Sequence, residues 1–246
     1  MNAPLPTRAD EAFRYADIAA LGEVWDGLSP PEPIEIAAQQ KVQQIWLPSG
    51  DAIDVRRAAI VLHDGASARL FALNAAPRYG RIELDVTLHE GADFTCDIAN
   101  LGGGDATLEV VTTVRHIEPG ATSTQTVRSV LGDTATASYL GQVAVAREGQ
   151  RTKSEQDVKA MLLSRTATAN AKPELEIYAD DVECEHGATV GELDAMQLYY
   201  AQARGLPPKE AQALLLEGFV GGLWDALGPD AEIADLARAR LRELTR

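Results

Sequence analysis

Two cysteines among 246 residues, Cys96 and Cys184, are too few for a disulfide framework, so a reducing compartment is expected. No apolar run approaches the roughly 20 residues that span a bilayer. The opening stretch MNAPLPTRADEAFRY lacks the apolar core of a signal peptide. Together these absences predict a cytoplasmic protein with no membrane association. Basic residues are scarce as well: 22 Lys and Arg stand against 37 Asp and Glu, a formal charge of -15. Such a field repels phosphate backbones, which argues against nucleic-acid binding and reads as a solvated acidic surface. Catalytic signatures are also missing. Gly102-Gly103-Gly104-Asp105 is followed by no Lys-Ser/Thr and cannot cradle a phosphate, no Gly-x-Ser-x-Gly elbow occurs, and four scattered histidines assign no triad. The chain is not expected to be an enzyme.

What is present falls into three regions: a segment 1–44 with a short helix and a Pro-rich linker, a β core 45–191, and a helical region 192–246. In the first, Ala12, Phe13, Tyr15, Ala16 and Ala19 recur at helical spacing within 10–20, and Ser29-Pro30-Pro31-Glu32-Pro33 breaks regular structure. From Ile34 to about Val190 the chain turns to short runs rich in Val, Ile, Thr and Leu, such as 58–62, 81–88, 106–114, 125–130, 137–145 and 174–178. Between them recur turns ending in Gly-Ala, at Gly65, Gly91, Gly120 and Gly187. The first three are 26 and 29 residues apart. A repeat of that length fits coils of a β-solenoid, with glycine supplying positive φ at the corners; a β-sandwich would give similar strands. Three helices are expected over 194–204, 209–227 and 231–245, separated by Gly205 and by Gly228-Pro229-Asp230. The stripes Ala211, Leu214, Leu215, Phe219, Leu223 and Ile233, Leu236, Ala237, Leu241, Leu244 should pack mainly on one another.

The stretch from Pro173 to Asp194 reads as a strand that turns at Gly187 into a helix. Cys184 and His186, at i and i+2, would face the same way. A thiol beside an imidazole suits iron or zinc. Equally, Cys184 can be a buried small hydrophobe and His186 a turn residue, since zinc sites usually require two such pairs. Cys96 lies in an alternating strand and reads as core. His63, His89 and His116 read as solvated corner residues. Asp180-Asp181 could serve as an acid/base pair of a glycan-active β-helix enzyme, but adjacent strand residues face opposite sides.

The block from Lys172 to Asp194, KPELEIYADDVECEHGATVGELD, resembles the SufD signature of the SufB/SufD family of iron–sulfur cluster assembly proteins. The likeness extends upstream through His116 to Ser123, Gly141 to Val145, Gln156 and Met161 to Leu163, and downstream through Tyr199 to Ala211. Thr7 to Asp17 is similar to the family's opening motif. The resemblance implies a right-handed parallel β-helix flanked by a short N-terminal helical segment and a C-terminal helical region. It also implies a non-catalytic subunit that pairs with SufB through the β-helix and with the ATPase SufC through the helices. His186, with Cys184 beside it, would then contact iron or a nascent cluster at the SufB interface, a transient cargo of the complex, with no cofactor in the isolated chain. A homodimer mimicking that pairing is plausible for the isolated chain. Two departures stand out. The opening motif lies only about twenty residues before the first solenoid strand, as in a short form with a reduced N-terminal region, and Glu185 places a charge beside His186.

Overall fold

The computed structural model describes residues 4–228 and 230–245. Its core is a parallel β-solenoid of about six coils. The strands in chain order are β1 (Glu32–Ile36), β2 (Lys41–Trp46), β3 (Ile53–Leu62), β4 (Ser67–Asn74), β5 (Tyr79–Leu88), β6 (Asp93–Gly102), β7 (Thr107–His116), β8 (Thr122–Leu131), β9 (Thr136–Val145), β10 (Thr152–Leu162), β11 (Thr168–Ile177) and β12 (Val182–Glu192). Odd strands stack in order as one six-stranded sheet and even strands as a second. The first coil, β1 and β2, takes in residues that the sequence pattern placed in the N-terminal segment.

Every strand pairs in parallel with its counterpart one coil away, so side chains at the same coil position form columns. Alternation puts every second residue into the space between the sheets. There Ile60, Leu84, Val86, Phe94, Ile98, Val110, Val114 and Val127 form the main core. One corner is built by Gln39, Gly65, Gly91, Gly120 and Arg151, all at positive φ, each with its N–H bonded to a carbonyl of the next coil. Glycine therefore marks three of these five corners. Gln39 and Arg151 adopt the same left-handed conformation with a Cβ, so a glycine search misses them.

Gly187 is a different case. It lies inside β12, and the chain enters α2 (Ala195–Ala203) only after Asp194, whose carboxylate accepts from the N–H groups of Met196 and Gln197. The signature block is thus a strand, a corner over 178–181 and a second strand, rather than one strand turning at Gly187. Its glycine has no left-handed turn to make.

Both outer faces of the solenoid are covered in part. Near the start, the expected 10–20 helix is instead a single 3-10 turn at Glu11–Phe13 followed by α1 (Ile18–Val24), because Asp17 caps the second helix through the N–H of Ala20. This segment lays Phe13, Leu21 and Trp25 on Tyr79, Ile53 and Val55 of the odd-strand sheet. Arg81, 1% exposed, ties the segment down. It donates to the Ala12 carbonyl, pairs with Glu83 and Glu109, and stacks 4.2 Å over the Phe13 ring.

On the other face, α3 (Pro208–Gly221), a 3-10 segment Gly222–Leu227 and α4 (Glu232–Leu244) pack on the even-strand sheet. Leu216, Val220, Leu223, Trp224, Ile233, Ala237 and Leu241 share one cluster with Phe71, Leu73, Ala99, Leu101 and Val130. The helices therefore pack on the sheet as well as on each other. The buried face of α3 runs through Leu216 and Val220, while Leu214 is exposed. Pro229, within the expected break between the last two helices, lies outside the described residues. Among the described residues, no helix is long and apolar enough to cross a membrane.

Candidate functional site at the open end of the solenoid

β11 and β12 end their sheets, and no further coil covers them. Cys184 pairs in register with Ser154 and His186 with Gln156. Ser154 and Gln156 are fully enclosed between the sheets. Cys184 and His186 continue those two columns, so they stand on the inner face of the last coil. Alternation along the strand has this consequence, as the i, i+2 spacing predicts. Because nothing stacks above them, His186 is exposed and Cys184 half-buried. Partial burial raises the Cys184 thiol above its ordinary pKa, offset in part by the Ser154 backbone.

Glu185 points the other way, beside Glu155 on the outer face, so its charge does not share the inner surface with the thiol and imidazole. Asp180 and Asp181 lie exposed in the corner before β12, and the Asp181 N–H donates to Gln150. Among the described residues, no third Cys, His or carboxylate joins Cys184 and His186 in a potential ligand set.

Beneath the open face the columns remain polar for two more coils. One runs His186, Gln156, Gln125 and Cys96, and the other Cys184, Ser154, Ser123 and Phe94. Ser123 Oγ lies 2.9 Å from both Ser154 Oγ and His116 Nε2. Thr112 donates to Gln125 Oε1 at 2.6 Å, and Gln156 Nε2 donates to the Tyr139 hydroxyl at 2.9 Å. Tyr139 crosses the interior only because residue 141 is glycine: a Cβ there would fall 2.0 Å from the tyrosine oxygen. Gln125 Nε2 and Gln156 Oε1 are buried with no hydrogen-bond partner among the described residues. Unsatisfied buried amides are uncommon in apolar cores and here lie directly under the Cys184/His186 face. A groove of about 700 Å³ opens beside them, lined by Ser123, Lys153, Ser154, Val182, Glu183 and Cys184.

His116 is 0% exposed, contrary to the solvated corner position expected for it. It is the last residue of β7, where alternation still directs the side chain inward, and burial pushes its pKa down to about 4. His63 and His89 do sit on the corner surface, with rings stacked 5.2 Å apart. Cys96 is core as expected, and burial raises its thiol pKa. The polar columns carried a readable signal only after the coil length was fixed: Cys96, Gln125, Gln156 and His186 stand about one coil apart in sequence.

The profile of the SUF system FeS cluster assembly SufBD core domain matches residues 34–219, from β1 into α3. An iron–sulfur cluster assembly SufBD family protein of Synechocystis is 31% identical over 180 residues, 73% of this chain and 40% of the relative. The iron–sulfur cluster assembly protein SufD of Escherichia coli is 34% identical over 116 residues, 47% of this chain and 27% of that protein. Its Bacillus subtilis namesake is 32% identical over 120 residues, 49% of this chain and 28% of that protein. The chain thus matches less than half the length of each of these relatives. With more than half of its residues covered by the core-domain profile, the chain belongs to the SufB/SufD family of iron–sulfur cluster assembly proteins.

Proposed function

We propose that this chain is a non-catalytic, SufD-like subunit of an iron–sulfur cluster assembly scaffold, with the last coil as its working surface. The observation that carries this reading is the placement of Cys184 and His186 on the uncovered inner face of a sheet edge, with no further ligand beside them among the described residues. An unpaired parallel edge accepts a strand from another chain, and such a chain, SufB in this reading, would bring the missing donors. His186 supplies an imidazole nitrogen and Cys184 a supporting sulfur to iron or a nascent cluster, which is cargo of the complex. Imidazole can replace thiolate on cluster iron, so the donor type is chemically sound. In the isolated chain the same edge is open to a second copy. The C-terminal helices, with Met196, Tyr199 and Tyr200 exposed, would receive the ATPase SufC.

The test is cluster assembly on the co-expressed complex, read as iron and sulfide per complex. His186→Ala is expected to lower the loading severalfold, and Cys184→Ser combined with it to lower it further. Unchanged loading in the double variant, with the complex intact, would sink the ligand role. It would leave the chain a purely structural subunit that contributes shape and no metal ligand.

A further inference from the structure

A second set of donors lies on the corner that leads from the odd-strand to the even-strand sheet. Asp64, His89 and Glu118 come from three successive coils, and one ligand atom from each lies within 4.8 Å of the others. They share no residue with the Cys184/His186 face. The coil spacing of about 4.8 Å brings residues so distant in sequence side by side.

The set is held in place. The Nδ1 atom of His89 is 3.2 Å from Glu118 Oε2. Two ligands on a tetrahedral ion with bonds of about 2.0–2.1 Å are separated by about 3.4 Å, so this pair already stands at coordination distance. The Glu90 N–H donates to the same Glu118 oxygen at 3.0 Å and orients the carboxylate. The His63 ring stacks on His89 at 19° and fixes its plane. Gln39 donates through its backbone and side chain to the Asp64 carbonyl, bracing the third donor's loop.

We propose that Asp64, His89 and Glu118 bind one divalent first-row transition ion, of the Fe2+ or Zn2+ type, at the solenoid corner. One imidazole nitrogen with two carboxylates suits those ions. Ca2+ demands six to eight oxygens, and Mg2+ prefers an all-oxygen octahedron. Exposure of Asp64 leaves room for water to complete the shell, and the net charge of -15 raises the local cation concentration.

Co2+ serves as the probe, titrated into the full chain carrying Cys184→Ser and His186→Ala so that the open end cannot contribute. One equivalent should bind with a visible ligand-field band, be displaced by Zn2+, and persist in excess Mg2+. His89→Ala and Glu118→Gln, added separately to that background, should each weaken binding at least tenfold with the melting temperature retained. Glu118→Gln keeps the side chain's size, so it remains informative if His89→Ala disturbs the corner. Binding that is absent from the background chain, unaffected by both substitutions, or displaced by Mg2+ would overturn the proposal. Since the background lacks both open-end residues, failure here says nothing about the role of Cys184 and His186.

Discussion

At the scale of single residues, the main correction concerns His116. A histidine beside a turn looks solvated, yet this one ends a strand and bonds to Ser123 between the sheets. Its pKa is pushed down to about 4 by burial, from an ordinary 6.5. The unfolded chain therefore takes up a proton as pH falls through 6.5, and the folded chain does not until about 4. Stability should decline across that window, by up to about 3 kcal/mol from this group alone. Urea unfolding at pH 7 and pH 4.5 is expected to show that loss in the wild type and a smaller one in His116→Gln. Equal losses in both would assign the acid sensitivity to other groups. The interior around His116 follows the same logic at each position: Ser123, Ser154, Gln125 and Gln156 look like ordinary strand residues in sequence, and only the stacking register reveals that they face inward together.

At the scale of elements, legibility followed local chemistry. The Val- and Ile-rich runs became β3, β5, β7, β8, β9 and β11 because alternation there is strong. Strands β2 and β10 set Lys, Gln and Glu on their outer faces, so their apolar residues do not stand out as runs in the sequence. Gly187 misled for a physical reason: glycine permits a corner without requiring one, and β12 simply continues through it. The three helices are legible, but the expected stripes include the exposed Leu214 and Leu236 and omit the buried Leu216 and Val220, since a helix read alone cannot show that a sheet waits beneath it. Leu241 of α4 is 1% exposed against that sheet, whereas Leu214 of α3 is 54% exposed. Leu241→Ala should destabilise by about 2–5 kcal/mol, and Leu214→Ala by less than about 0.5 kcal/mol. Thermal or chemical melts of the two variants check this; similar losses would mean that the helices do not pack as described.

At the scale of the whole molecule, the solenoid is wrapped rather than bare. The N-terminal segment closes one face through Phe13, Leu21 and Arg81, and the C-terminal helices close the other. Removing residues 194–246 would uncover Phe71, Leu73, Leu101 and Val130, so truncation confounds lost docking with lost stability. Substituting exposed residues avoids that difficulty. Met196→Asp with Tyr199→Asp should weaken co-purification with the SufC ATPase while leaving the melting temperature within a few degrees. Undiminished co-purification would place the docking surface elsewhere. The stacked coils carry one more implication. Each coil hydrogen-bonds only to the coils beside it, and the coil of β11 and β12 has such a neighbour on one side alone. Tension on the C-terminus would therefore strip α4 and α3 from the sheet first and then peel the coils from the β11/β12 end, one at a time. Each coil of about 30 residues would release roughly 100 Å of chain, so a pull would be met as a series of small ruptures, with the Cys184/His186 face on the first coil to go.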